Sequence, residues 1–350
     1  MSYRYNVVGQ HIYTEDKPIT KDILTLHNCD VLERAREPLM AHLPLSAEGN
    51  CCATEALVDG LLGIASGRGT LEHVCTKLPE LSDPTTARGY LDAQLAAGNL
   101  ADAEAAVNAA VQTQIPERVL RQRRKVAMDF HDCPYYGKSI AEDGLWVRGK
   151  AKAGTTRFYR LATAYVIHRD LRVILAVKLV LPGMITCEVL EALLQAVAAL
   201  GITPRCLLLD RGFAGVAVMQ QLDAAQIPAV IACPIRSKTG GARALFQGRK
   251  SYRATHTFTS TTGAKYTAAL AVCRVFTTHK CTGRAKRRAR WQLYILIHLD
   301  LKRLQTRDWY RCAGKARGWT TSPNPAYRFL LLEPAFFLLN VWVVLQWLYT

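Results

Sequence analysis

The stretch Val126–Lys138 reads VAMDFHDCPYYGK, and its reading decides the fold of the chain. A short apolar approach delivers one acid, Asp129, and the chain then breaks at Pro134. A second stretch of the same form follows, Cys206–Phe213, CLLLDRGF, carrying Asp210. In both, apolar residues precede a single Asp and a turn or loop comes after. This is how a buried strand brings a carboxylate to its C-terminal edge, where open α/β sheets place their chemistry. The alternative fate of each Asp is a strand-ending turn residue.

Working outward, the segment after Asp129 alternates strand and helix. TTRFYRLATAYVIHRDLRVILAVKLV (Thr155–Val180) is rich in β-branched and aromatic residues and predicts a hairpin turning around His168–Asp170. Thr186–Ile202 predicts a helix capped by Thr186 and stopped by Gly201. Arg205–Asp210 is the next strand, GVAVMQQLDAAQI a helix and PAVIACPI a strand. The alternation predicts a mixed α/β sheet with Asp129 and Asp210 on neighbouring strands. From 236 to about 290 the pattern turns to Thr, Tyr, Val and Phe with Gly turns, a β-rich insertion, and QLYILIHLD follows as a further strand.

Before Asp129 the chain is helical. ATEALVDGLLGIASG, then LEHVCTKL capped by Thr70, then TTARGYLDAQL opened by Ser82, Asp83 and Pro84, read as short helices separated by turns. Residues 1–122 form the expected helical region. A helix-turn-helix over about 52–96 and a small helical bundle of another purpose both fit that pattern. PERVLRQRRKV is a basic connector into the first acid.

The chain of 350 residues carries 45 Lys and Arg against 28 Asp and Glu, a net charge of +17. Such an excess points to a polyanionic partner, since each phosphate neutralised releases counterions. Lys280–Arg290 concentrates it in HKCTGRAKRRARWQ, a solvated loop or a DNA-backbone contact. Arg211, beside the second acid, is a phosphate ligand or a surface ion-pair partner. The 11 cysteines contain no CxxC pair. With the polar N-terminus MSYRYNVVGQ they read as reduced thiols of a cytoplasmic, nucleoid-associated protein. Phe329–Tyr349 is long enough to span a bilayer but is interrupted by Glu333, Pro334, Asn340 and Gln346. It reads as a buried helix starting near Pro334 rather than a membrane anchor.

DFHDCPYYGK, LLLDRGFAG, and TTSPNPAYRFLLL with the apolar end NVWVVLQW resemble the DDE-type insertion-sequence transposases of the subgroup with a β-rich insertion. The resemblance runs in the same order over roughly residues 50–350. It implies a fold of class α/β: an RNase H-like mixed sheet over 123–350, interrupted by the β-rich insertion and preceded by an all-α, end-binding domain. It implies DNA cleavage and strand transfer at element ends with Mg²⁺ or Mn²⁺ as cofactor, and a homodimer in the DNA complex. Asp129 and Asp210 match the first two catalytic, metal-holding acids. Arg211, Lys286, Arg287, Arg288 and Arg290 are the candidate DNA contacts, and His131, Tyr135, Tyr136 and Lys138 are supporting residues.

The chain departs from the family at the third acid. The family pattern is Tyr, two residues, Arg, three residues, Glu, six residues, Lys. Here Tyr310 is followed by Ala313 at the Arg place and Arg317 at the Glu place, and no Glu occurs between Asp210 and Glu333. The spacing looks like an internal loss of about a dozen residues, which removes the Glu and a few helical turns. Asp300, Asp308 and Glu333 are the acids near enough in sequence to stand in, and none matches the motif. Two expectations follow: a transposase, or a decayed copy that binds DNA or represses its own element without turnover.

Overall fold

Among the described residues, apolar runs between Gly and Pro breaks build a mixed sheet of nine strands, in the order β2-β3-β1-β5-β6-β9-β8-β7 with β4 paired to β3. The structure is a computed structural model. It describes residues 28–43, 45–47, 52–67, 70–81, 83–94, 100–120, 123–136, 145–168, 171–235, 239–281, 284–301 and 335–345. The strands are β1 Arg124–Pro134, β2 Val147–Lys152, β3 Thr155–His168, β4 Leu171–Val180, β5 Pro204–Leu209, β6 Ala229–Ala232, β7 Tyr252–Thr259, β8 Lys265–Cys281 and β9 Arg284–Ile297. The helices are α1 Asn28–His42, α2 Thr54–Gly67, α3 Leu71–Cys75, α4 Pro84–Gln94, α5 Leu100–Thr113, α6 Glu117–Leu120, α7 Thr186–Ala199, α8 Val216–Ala224 and α9, residues 335–345.

The centre of the sheet is parallel. β1 pairs with β5 and β5 with β6 in that sense, and both neighbours lie between helical layers. Burial on two faces explains why LLL in β5 and AVIA in β6 are continuous apolar runs. One face packs on α7 and α8 through Val126, Met128, Leu207, Leu209, Leu190, Leu193 and Met219. The other face packs on the helices that precede β1, and on α9, through Ala127, Leu208, Leu39, Leu61, Val107, Phe337 and Val341. The helices before β1 and one face of the sheet thus share one apolar core. No described helix is long and apolar enough to cross a membrane, and α9 is buried along most of its length.

Local signals act largely as their chemistry dictates. Thr70 Oγ1 accepts from His73 N–H at the start of α3. Asp83 Oδ1 accepts from the Thr85 and Thr86 amides at 2.8 and 3.2 Å, with Pro84 as the first residue of α4. Gly201 takes φ +71° and ends α7. The N-terminus of α7 corrects the reading of Thr186, which is the first helical residue and not the cap. Ile185 holds the cap position, and the Glu188 carboxylate accepts its amide at 3.0 Å.

The β-rich segment also differs from its sequence reading. β9 runs unbroken from the basic run into the apolar LYILI and pairs with β6, so β7–β9 extend the main sheet. The basic run is therefore strand, not loop. It is held as strand by its ladder with β8 on one side, pairing that does not require its side chains to be apolar.

Edge strand β4 is closed by side chains instead of a further strand. Asn340 Oδ1 accepts from Ile174 N–H at 2.7 Å and its Nδ2 donates to Ile174 C=O at 2.8 Å. Asn108 repeats the same pair at Val177, both at 2.8 Å. Glu104 accepts from Leu179 N–H at 2.8 Å and from Lys178 Nζ at 2.7 Å. The exposed ladder that makes an edge sticky is thereby consumed by α5 and α9.

Candidate active site

Asp129 lies in the middle of β1, not at its end. The strand continues to Pro134 because β3 pairs with it throughout, from Val126↔Val166 to Pro134↔Phe158. The parallel pairing with β5, however, stops at Met128↔Leu209. The Asp210 amide then donates to Met128 C=O at 3.1 Å. Asp129 and Asp210 therefore occupy the row just beyond the last parallel pair, on adjacent strands roughly 4.8 Å apart. Side chains alternate along a strand, so Asp129 shares the face of Ala127 and Asp210 that of Leu208, both on the side of α9 and the helices before β1. The two carboxylates stand on one face in one row, each partly exposed.

Thr163 completes the row on β3, directly opposite Asp129, and is fully buried. His131 sits two residues beyond Asp129 on the same face, with Nε2 2.9 Å from Thr163 Oγ1 and its ring 5.2 Å from that of Phe336 on α9. One row behind the acids is Tyr165, opposite the small Ala127 and 4% exposed. Burial raises the pKa of its hydroxyl, with Asp129 adding to the rise and Asp210 adding less, while Arg172 opposes them. Both carboxylates thus act electrostatically on one phenol, which stays a neutral donor at any ordinary pH. The Arg172 guanidinium lies 5.9 Å from the Tyr165 ring, and its Nε is buried with no hydrogen-bond partner among the described residues.

The two sequence motifs interlock. Phe130, next to Asp129, stacks on Phe213, three residues after Asp210, with centroids 4.4 Å apart and planes 17° apart. Gly212 lies so close beneath that a Cβ there would fall 2.5 Å from Phe130 Cδ2. The Gly of DRGF is therefore required by the Phe of DFHD.

Other candidate residues are placed as follows. Arg211 is exposed in the turn after Asp210. Lys286, Arg287 and Arg288 are paired strand positions of β9, opposite His279, Thr278 and Thr277, and Arg290 is exposed. β9 is antiparallel to β6, so its basic half overhangs the C-terminal edge of the parallel strands, the edge that carries the acids. Asp300 follows the other end of β9 and pairs with Arg253, which puts it at the opposite edge of the sheet. Asp132 points to the face opposite Asp129 and is held by Arg160 at 2.7 Å. Asp308, Arg317, Glu333 and Lys138 lie outside the described residues. Among the described residues no group of three or more His, Cys, Asp or Glu converges as a metal site.

Two carboxylates in one row offer hard oxygen ligands, which suit a single Mg²⁺ or Mn²⁺ whose shell is completed by water and phosphate. Sequence reading did not find Thr163, Tyr165 or Arg172. LATAYVIH signals only a buried strand; the β1–β3 register places Thr163 and Tyr165 beside the acids, and the β3–β4 register brings Arg172 to Tyr165.

No protein-family model matches the chain, and no curated protein matches it. Among solved structures, it is similar to the piggyBac transposase in its synaptic complex with hairpin DNA, determined by cryo-EM. The identity is 9% and the TM-score 0.43, over 91% of this chain and 72% of that chain. A likeness at this level leaves the functional reading on the residues themselves.

Proposed function

We propose that the chain is a DNA transposase of the DDE type, with an RNase H-like core that binds element ends and cleaves and joins DNA strands. The observation that carries this reading is the placement of Asp129 and Asp210 in one row, on one face, of adjacent parallel strands. The basic half of β9, overhanging the same edge, supports DNA as the substrate.

In this reading Asp129 and Asp210 would hold a divalent cation through one oxygen or more each. That cation supplies charge neutralisation at a phosphate and acidifies a coordinated water. The chain's own residues do the rest. β1 and β5, locked by the Asp210–Met128 hydrogen bond and the Phe130–Phe213 stack, fix the separation of the two carboxylates. Such fixed geometry is what lets an in-line displacement proceed without a covalent intermediate. The Tyr165 hydroxyl, held neutral by burial, offers a hydrogen-bond donor behind the pair. Arg211 and the cations of β9 hold the DNA backbone, and two copies of the chain pair two element ends.

The second reading, a DNA-binding protein or repressor without turnover, rests on Arg317 at the place of the family's Glu. Strand cleavage of terminal-element DNA in Mg²⁺ and in Mn²⁺ separates the two. Cleavage abolished by Asp129→Asn and by Asp210→Asn is the expected result. A chain that binds the ends but never cuts them supports the repressor. One that cuts equally well with Asp129→Asn ends the proposal.

A further inference from the structure

The hairpin β2–β3 carries a second line of positive charge that the reading above does not use. Arg148, Lys150 and Lys152 alternate along β2 and are all exposed. Arg148 pairs with Arg157 and Lys152 with Thr155, so these four positions share one face. Among the described residues no carboxylate pairs with Arg148, Lys150 or Lys152. The register shifts between Arg148 and Lys152, so they stand opposite β3 residues only two apart, about 6.7 Å of strand, comparable with successive phosphates along one DNA strand.

The hairpin is built to be held in place. Ala153 and Gly154 turn it with φ +51° and +80°, a two-residue loop in which Ala153 takes a conformation few side chains favour. Tyr136 donates to Ala153 C=O at 2.6 Å, which fixes that residue. Thr155 donates to Tyr135 C=O at 2.8 Å, and Tyr135 N–H donates to Arg157 C=O at 2.9 Å. The PYY that ends the first-acid motif thus anchors the hairpin to the strand that carries Asp129. Trp146 lies beside Arg157 and Arg148, 5.0 and 5.7 Å from its ring to the two guanidinium carbons. Gly149 lets the Phe158 ring approach so closely that a Cβ would sit 3.0 Å from it.

Because β3 is antiparallel to β1, the hairpin leaves the sheet at the edge of the acids. From Thr163, opposite Asp129, to Thr155 is about 26 Å of strand. The β8–β9 ribbon leaves at the same edge on the other side of the acids. Between β3 and β9 lie β1, β5 and β6, so the arms are roughly 19 Å apart, axis to axis, at their bases.

We infer that the β2–β3 hairpin is a phosphate-gripping arm, and that one DNA duplex seats between it and the β8–β9 ribbon, over the two acids. The inference rests on the reading that this chain acts on DNA. The test is duplex binding measured against salt for the wild-type chain and for Arg148→Gln/Lys150→Gln/Lys152→Gln, whose exposed positions leave the core untouched. Loss of three phosphate contacts flattens the plot of log K against log salt by about 2.7. Between about 50 and 200 mM salt that is roughly a forty-fold smaller loss of affinity. Tyr136→Phe releases the anchor without removing charge, so it keeps the slope and weakens binding about two- to ten-fold. A wild-type chain that binds DNA with a slope identical to that of the triple variant overturns the arm and leaves the transposase reading standing. A wild-type chain that binds no duplex at low salt overturns both. If the triple change instead releases the chain from anionic phosphatidylserine vesicles with DNA binding unaltered, the arm serves a membrane and the inference is wrong.

Discussion

Replacing Gly212 by Ala tests whether the two acid motifs are one mechanical unit. The added methyl would lie 2.5 and 2.8 Å from Cδ2 and Cε2 of Phe130. Contacts below 3 Å force a movement, and the ring is not free to give way, because it is stacked at 4.4 Å on Phe213, itself fully buried. Overpacking of this kind costs about 1–3 kcal/mol. The Gly212 backbone is not in the left-handed region, so the cost is one of space and not of strain. Urea denaturation should show the loss as a lower midpoint with an unchanged slope. Phe130→Leu makes room, so the double variant Gly212→Ala/Phe130→Leu should be less destabilised than the sum of the single changes, a coupling of about 1 kcal/mol or more. Gly89→Ala is the control with the opposite sign. It lies in the interior of α4 with nothing within 4 Å, and Ala there should stabilise by about 0.5–1 kcal/mol. A Gly212→Ala protein as stable as the wild type, or strictly additive with Phe130→Leu, would refute the interlock. On the proposed function, the same variant should also weaken any Mn²⁺ binding measured by titration, since the stack sets the row of the two acids.

Asn340→Ala removes both hydrogen bonds to Ile174 from a fully buried position and should cost about 2–4 kcal/mol, with faster amide exchange at Ile174 than at the Asn108-held Val177. Cys206 is buried and its thiol pKa is raised from 9.0 to about 12, chiefly by burial. Because the folded value lies above the unfolded one, this contribution to stability is whole below pH 9 and declines as pH rises toward 12, so Cys206→Ala should flatten the alkaline side of a stability–pH profile measured by denaturation. At pH 8 the native Cys206 should resist a thiol reagent that labels it in urea.

The sequence reading reached the acids through their apolar approaches, because buried parallel strands leave continuous apolar runs that end where the pairing ends. It misjudged where Asp129 sits, since β1 has two neighbours of different length and only the β5 pairing stops at Met128. The hairpin β3–β4 was legible from β-branched and aromatic residues around a polar turn. The strand nature of Arg284–Arg290 was not, because its alternate positions 284, 286, 288 and 290 are all basic and the residues between them are small or basic, so no large apolar residue recurs to mark a half-buried strand. Thr163 and Tyr165 look like ordinary core residues until register places one opposite Asp129 and the other opposite Ala127. Asn108 and Asn340 were equally silent, since an Asn inside an apolar helix gives no hint that it closes a strand edge distant in the chain.

Topology explains why charge accumulates at one edge. Parallel strands β1, β5 and β6 all end on the same side, and a strand antiparallel to any of them must begin there. β3 is antiparallel to β1 and β9 to β6, so both begin beyond the acid row. Basic residues in the β2–β3 hairpin and at the start of β9, spread over 148–157 and 284–290 in the chain, are thereby brought to either side of two carboxylates. The carboxylates alone would repel a polyanion. In the proposed function, cations on both sides would meet an approaching phosphate before the acids do. The DNA reading thus depends less on the net charge of the chain than on the pairing sense of two strands. A redesign that moved the same cations to the β4 edge would keep the charge of +17 and should lose the preference for duplex DNA at the acid row.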